Sequence, residues 1–164
     1  CVRLYGAWTL TVAGTGPEQA TLETLAERLG IASRVSWLGG ISPGELATLW
    51  PRLDCLVAPS RTTAHWVETY PVQVLEAMGY GITVVASDSG ALPEAVGKAG
   101  LIFSEGHPDG LTEALTRLLE DGELRERLAV EGRRRVIAEY VDDPIARKTL
   151  TFWRAVREKA AQSL

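Results

Sequence analysis

The sequence predicts an α/β protein in which a parallel β-sheet is covered by helices on both faces. Short apolar runs alternate with helical patterns along the chain. The runs are apolar throughout rather than alternating in and out, as strands buried on both faces should be, and each is bounded by Gly, Pro, Ser or Asp.

The first run, "WTLTVA" (8–13), is closed by Gly14. A helix is expected in "PEQATLETLAERLG" (17–30), where Leu22, Leu25 and Leu29 recur at helical spacing, Pro17 suits the first turn and Gly30 suits the C-cap. "RVSWL" (34–38) reads as the second strand. "SPGELATLW" (42–50) reads as a second helix, opened by Ser42 and Glu45 in capping-box spacing. "CLVA" (55–58) is the third strand and leads through a long loop to a helix opened near Pro71. "ITVVAS" (82–87) is the fourth strand, "LPEAV" (92–96) a short helix, "GLIF" (100–103) the fifth strand, and 108–140 reads as two more helices. No repeat, low-complexity tract or linker interrupts residues 1–164, which read as a single domain.

Composition narrows the function classes. A chain of 164 residues with 46% hydrophobic and 23% charged residues can bury a core, and a formal charge of −4 does not argue for a polyanion-binding surface. No nucleic-acid partner is expected, and Arg133, Arg134 and Arg135 read as the solvated face of a helix. Cys1 and Cys55 are the only cysteines, and Cys55 in "CLVAP" reads as a buried free thiol, which fits a reducing, cytoplasmic setting. No apolar run approaches the ~20 residues of a membrane-spanning helix, and "CVRLYGAWTL" lacks the layout of a signal peptide. The absence of an initiator Met points to a chain cut from a longer one. His65 and His107 have no Cys or His at ligand spacing, and "SDSG" (87–90) is not a paired-carboxylate motif, so neither a metal nor a resident cofactor is expected.

In parallel α/β sheets the ligand sits beyond the carboxyl ends of the strands. Two loops there carry chemistry. In "GTGPEQ", Gly14 and Gly16 let backbone approach a ligand, but Gln19 stands where the dinucleotide fingerprint has its third glycine. A tight turn before a helix and a phosphate-binding turn both fit it. The second loop runs from Arg61 to Tyr70, and a helix starting near Pro71 would leave the N–H groups of Val72, Gln73 and Val74 for an anion. Glu76 lies about 7 Å further along that axis, on the face of Gln73. Its neighbours are apolar, so the helix is expected to be buried and Glu76 to need a partner. An ion pair or cap within the protein is one answer, and a vicinal diol such as a ribose is the other.

The stretch "ETYPVQVLE", followed by "AMGYGITVVASDSGALPEAVGKAGLIF", resembles the donor-binding signature of the group 1 glycosyltransferases, retaining enzymes of GT-B fold. "PSRTTAHWVETYP", "VAGTGPE" and "RVSWLGGISPGEL" resemble the same family in the same order, over nearly the whole chain. The resemblance implies a Rossmann-like domain that binds a nucleoside diphosphate sugar as donor substrate for retaining transfer in carbohydrate biosynthesis. Glu68 matches the family's first glutamate, beside the donor sugar and its reacting carbon, and is the catalytic candidate. Glu76 matches the second, which binds the ribose hydroxyls. Thr69 and Tyr70 would line the sugar, Val72 and Gln73 would meet the diphosphate with their N–H groups, Leu38 and Gly39 match the loop that receives the base, and Gly14 and Gly16 match the glycine turn.

Three departures accompany the likeness. Pro71, still a donor-site position, stands where the family commonly has Gly, which removes a backbone donor and stiffens the helix entry. The family's upstream "GR…KG" segment, whose cations neutralise the diphosphate, is absent, as is the N-terminal domain that holds the acceptor. The chain alone is therefore expected to be an inactive donor half, truncated at its N-terminal edge, and peripheral membrane association of the full-length protein stays open. A sugar-nucleotide 2-epimerase or phosphorylase-like enzyme of the same fold, and a non-catalytic nucleotide-sugar-binding module, are the alternatives.

Overall fold

The computed structural model describes residues 6–162, and the side chains of residues 6–159. Cys1 lies outside the described residues. The chain divides between Arg52 and Leu53 into two compact units.

The smaller unit holds β1 (Leu10–Ala13), α1 (Gln19–Arg28), β2 (Val35–Gly39) and α2 (Pro43–Leu49). β1 and β2 pair in parallel, with Leu10 opposite Val35 and Val12 opposite Trp37. Local chemistry sets both helices. At the end of α1 the Gly30 N–H donates to the Glu27 carbonyl and the Ile31 N–H to the Ala26 carbonyl, both at 2.9 Å, a Schellman motif. Gly30 adopts φ +69° there, as its position in the sequence predicts. α2 opens with the expected capping box: the Ser42 hydroxyl accepts from the Glu45 N–H at 3.3 Å, and the Glu45 carboxylate accepts from the Ser42 N–H at 2.7 Å. The Ser42 N–H and the Ser42 hydroxyl, which also donates to the Glu45 carboxylate at 2.7 Å, hold the Glu45 carboxyl below its ordinary range.

The larger unit holds β3 (Cys55–Ala58), α3 (Val72–Gly79), β4 (Thr83–Ser87), α4 (Leu92–Val96), β5 (Leu101–Phe103), α5 (Pro108–Glu120), α6 (Gly122–Glu139) and α7 (Asp142–Gln162). β3, β4 and β5 form a parallel sheet in that order. The predicted parallel α/β organisation holds, but among the described residues its five strands are shared between two sheets, with β1 joined by ladder bonds only to β2 and β3 only to β4. Burial on both faces is realised fully in β4 alone, the central strand of the larger sheet. β3, at its edge, is half-buried along its length. The core beside β4 gathers Val85, Phe103, Ala114, Leu118, Leu124 and Leu128 from the sheet and from α5 and α6. Cys55 is a free thiol, half-buried rather than buried as expected, and desolvation pushes it up to about 12.

Two features depart from the expectations. The sequence reading assigned no element after Tyr140, whereas α7 runs for 21 residues. Phe152 and Trp153 of α7 are exposed. The basic run is also not one solvated face. Arg133 and Arg134 are exposed, but Arg135 is half-buried: its Nε donates to the Ala95 carbonyl at 3.1 Å and its Nη2 to the Glu94 carbonyl at 2.8 Å. These carbonyls close α4, so one guanidinium satisfies a helix C-terminus and ties α6 to it. Arg135→Ala is expected to destabilise the protein by about 1.5–3 kcal/mol, the scale of lost charged hydrogen bonds. Urea denaturation would check this, and Arg134→Ala, whose bonds run only to Glu131 on the same helix, should change little.

Candidate functional site

Each unit gathers sequence-predicted residues at the carboxyl ends of its strands. In the smaller unit the Gly14 N–H donates to the Gly39 carbonyl at 2.7 Å, so the loops leaving β1 and β2 meet. Both glycines have positive φ, +124° and +67°, conformations that a side chain would strain. The Gly16 carbonyl accepts from the Gln19 N–H at the start of α1. Leu38, at the end of β2, is exposed.

In the larger unit Glu68, Thr69, Tyr70, Pro71, Val72, Gln73 and Glu76 form one continuous stretch between β3 and the middle of α3. Glu68 is half-buried, while Thr69 and Tyr70 are exposed. Pro71 is buried and has φ −79° and ψ 74°, an inverse γ-turn closed by the Val72 N–H on the Tyr70 carbonyl at 2.9 Å. That turn corrects the expected set of anion donors. Val72 spends its N–H on Tyr70, and Val74 spends its N–H on the Pro71 carbonyl at 3.1 Å. Among the described residues, the Gln73 N–H alone of the three keeps no partner.

Glu76 is also corrected. The short helix α3 buries Val74, Leu75, Ala77 and Met78 and exposes the other side, where Val72, Gln73 and Glu76 lie. The carboxylate therefore meets solvent and has no burial cost to offset. Among the described residues no hydrogen bond or ion pair engages it, so the ion-pair answer to its presence is not realised. Instead Glu76 lines a groove of about 480 Å³ with Tyr70, Val72, Tyr80, Arg133 and Tyr140. The groove is shallow and open to solvent.

The sequence reading took the turn between β4 and α4 into the family likeness but assigned no site residue there. The Ser89 hydroxyl, buried to 1% exposure, lies 2.8 Å from the Thr62 hydroxyl, and the Ser87 hydroxyl donates to the Ser60 carbonyl at 2.6 Å. The Glu105 carboxylate accepts from the Thr62 N–H at 3.0 Å, which holds its carboxyl below the ordinary range. These bonds fasten the Glu68-bearing loop to the strand ends. The only sequence signal was a run of small polar residues directly after a buried strand.

A parallel α/β framework whose loops open at the carboxyl ends of its strands defines the class of folds that bind ligands beyond those strand ends. A family model described as glycosyl transferases group 1 matches residues 2–135, and the chain belongs to that family. It is 33% identical over 156 residues to the GDP-mannose-dependent alpha-(1-6)-phosphatidylinositol monomannoside mannosyltransferase of Mycobacterium tuberculosis, covering 93% of this chain and 40% of that protein. It is 36% identical over 141 residues to the MMP alpha-(1->4)-mannosyltransferase of Mycolicibacterium hassiacum, covering 84% of this chain and 32% of that protein. Among solved structures, sucrose-phosphate synthase from Thermosynechococcus elongatus superposes with a TM-score of 0.76 at 26% identity, over 92% of this chain and 39% of that one. The C-terminal domain of a glycosyl transferase group 1 family protein from Francisella tularensis superposes with a TM-score of 0.71 at 26% identity, over 81% of this chain and 70% of that one. The chain is a GT-B-like glycosyltransferase domain and spans 40% or less of the length of these two curated relatives.

Proposed function

We propose that this chain is the donor-binding part of a retaining glycosyltransferase and that it holds a nucleoside diphosphate sugar. The observation that carries the reading is the Glu68–Glu76 segment itself: it ends the loop that leaves β3 and enters α3, and it sets one half-buried and one unpaired, solvent-facing carboxylate with seven residues between them, within a family that matches most of the chain. Glu76 accepts hydrogen bonds from the ribose diol. The diphosphate lies toward the start of α3, where the free Gln73 N–H and the helix dipole favour negative charge. Thr69 and Tyr70 border the sugar, and Glu68 faces its anomeric carbon.

In the reaction the bond from the anomeric carbon to the terminal phosphate oxygen breaks, and a bond to the acceptor oxygen forms on the same face. The proton of the acceptor hydroxyl passes to the phosphate oxygen that leaves, and the nucleoside diphosphate departs. Charge that develops on the leaving diphosphate is what the α3 N-terminus stabilises, an effect realised chiefly in the transition state. The acceptor is held by a further domain of the full-length protein, which acts in the cytoplasm and associates peripherally with membrane when its acceptor is a lipid.

The relatives' names make GDP-mannose the first donor to test. In the full-length protein a panel of GDP-, UDP- and ADP-sugars should show one that binds and whose sugar appears on an acceptor with the donor's anomeric configuration. Release of a 2-epimerised sugar, or tight donor binding with no transfer to any acceptor class, would overturn the reading in favour of an epimerase or a binding module.

A further inference from the structure

The turn joining β4 to α4 approaches the Glu68 backbone more closely than any side chain would allow. Gly90 sits in this turn with φ +54°. A Cβ placed on it would overlap the Glu68 carbonyl oxygen and lie 2.9 Å from Val67 Cγ2 and 3.0 Å from the Glu68 carbonyl carbon. Only glycine lets the two backbones lie in this contact. The next residue completes it, since the Ala91 N–H donates to the Glu68 carbonyl at 2.8 Å.

The turn is a firm bed for a loop. It follows β4, which is buried throughout, and precedes α4, whose Leu92, Ala95 and Val96 are buried. The loop resting on it is exposed from Arg61 to Val67, so its own side chains do little to fix its course. Its ties run to this turn and to Glu105: Ser87 to Ser60, Ser89 to Thr62, Glu105 to Thr62 and Ala91 to Glu68. Asp88 in turn accepts from the Glu105 N–H at 2.7 Å, so the Glu105 tie returns to the same turn.

We propose that Gly90 is a positioning residue for Glu68: by admitting the Glu68 carbonyl against its own backbone, it sets where the Glu68 carboxylate stands relative to the donor sugar. The inference rests on the reading of Glu68 as the residue facing the sugar. A Cβ at position 90 must push the Glu68 backbone away, and a displacement of about 1 Å in a reacting constellation can cost on the order of 100-fold in rate.

The test uses the full-length protein with its donor and acceptor. Gly90→Ala should lower kcat about 10- to 100-fold while nucleoside diphosphate affinity stays within about 2-fold of wild type. The decisive readout is a double-mutant cycle: Gly90→Ala combined with Glu68→Gln should be no slower than Glu68→Gln alone, because Gly90 acts only through Glu68. Should Gly90→Ala fail to fold, Thr62→Val, which cuts the tie to Ser89, should lower kcat several-fold, and Thr62→Ser, which keeps the hydroxyl, should restore it. Wild-type kcat in folded Gly90→Ala beside an impaired Glu68→Gln would overturn this inference alone, as would a Gly90→Ala loss that persists in full in the Glu68→Gln background. Unchanged kcat in Thr62→Val would do the same where that variant decides. Wild-type kcat in Glu68→Gln would overturn the reading of Glu68 and this inference with it.

Discussion

Met78→Ala is expected to destabilise the protein by about 2–5 kcal/mol, the range for removing a long apolar side chain from a packed core. Met78 has no exposed surface and lies on the buried side of α3. Its neighbour across the seam is Gly132 of α6, where an added Cβ would stand 3.4 Å from Met78 Cγ, 3.5 Å from its Cβ and 3.6 Å from its Cε. Because Gly132 has no side chain, α6 comes close to α3, and Met78 fills the space between them. Alanine would leave a cavity walled by two helices and a sheet, none of which can close in without moving its own contacts. Urea denaturation of wild type and variant, with the slope checked for constancy, gives the difference. A loss well below 1 kcal/mol would mean that the α3–α6 seam collapses onto the smaller side chain.

That seam was only half legible in the sequence. The apolar residues of "VQVLEAM" announced a packed helix, but with so many of them the pattern also implied burial all round, and Glu76 looked like a charge in a core. At eight residues α3 has room for one buried side, Val74, Leu75, Ala77 and Met78, and Val72, Gln73 and Glu76 fall on the other. What was legible was local. The capping box of α2 and the glycine that ends α1 depend on residues within one turn of each other, so their spacing suffices. The apolar runs gave all five strands within two residues at each end.

What stayed hidden was tertiary. Arg135 looked like its two neighbours in sequence, and its partners at Ala95 and Glu94 are 40 and 41 residues away. Gly90 looked like turn chemistry, and its requirement for glycine comes from Glu68 pressing on it from another loop. α7 escaped because its large apolar residues, Leu150, Phe152 and Trp153, are exposed and trace no buried stripe. The candidate site divides in the same way. Gly14, Gly16, Val72, Gln73 and Glu76 were read from loop and helix chemistry and Glu68, Thr69, Tyr70, Leu38 and Gly39 through resemblance, whereas the donors that Pro71 leaves available were decided by backbone geometry at one residue.

Glu68→Gln in the full-length protein is expected to lower turnover by one or more orders of magnitude while affinity for the free nucleoside diphosphate stays near wild type. Glu76→Gln is expected to do the reverse, weakening that affinity by about 1–3 kcal/mol, the scale of a charged hydrogen bond lost to a diol. The structure sharpens the second half of this pair. Because Glu76 is exposed and no ion pair or hydrogen bond engages its carboxylate among the described residues, Glu76→Gln should leave the melting temperature nearly unchanged, and any loss of binding can be read as a lost ligand contact. Glu68 differs in setting: it is half-buried, its backbone is held by the Ala91 N–H, and its loop is fastened at Ser60 and Thr62. Steady-state kinetics and calorimetric titration of both variants separate the roles. Equal loss of nucleotide affinity in both, or undiminished turnover in Glu68→Gln, would mean that the division between sugar and nucleotide does not hold here. Pro71 is then the residue to change first, since Pro71→Gly would free the helix entry from its fixed φ and restore an N–H at the position where the family commonly has glycine.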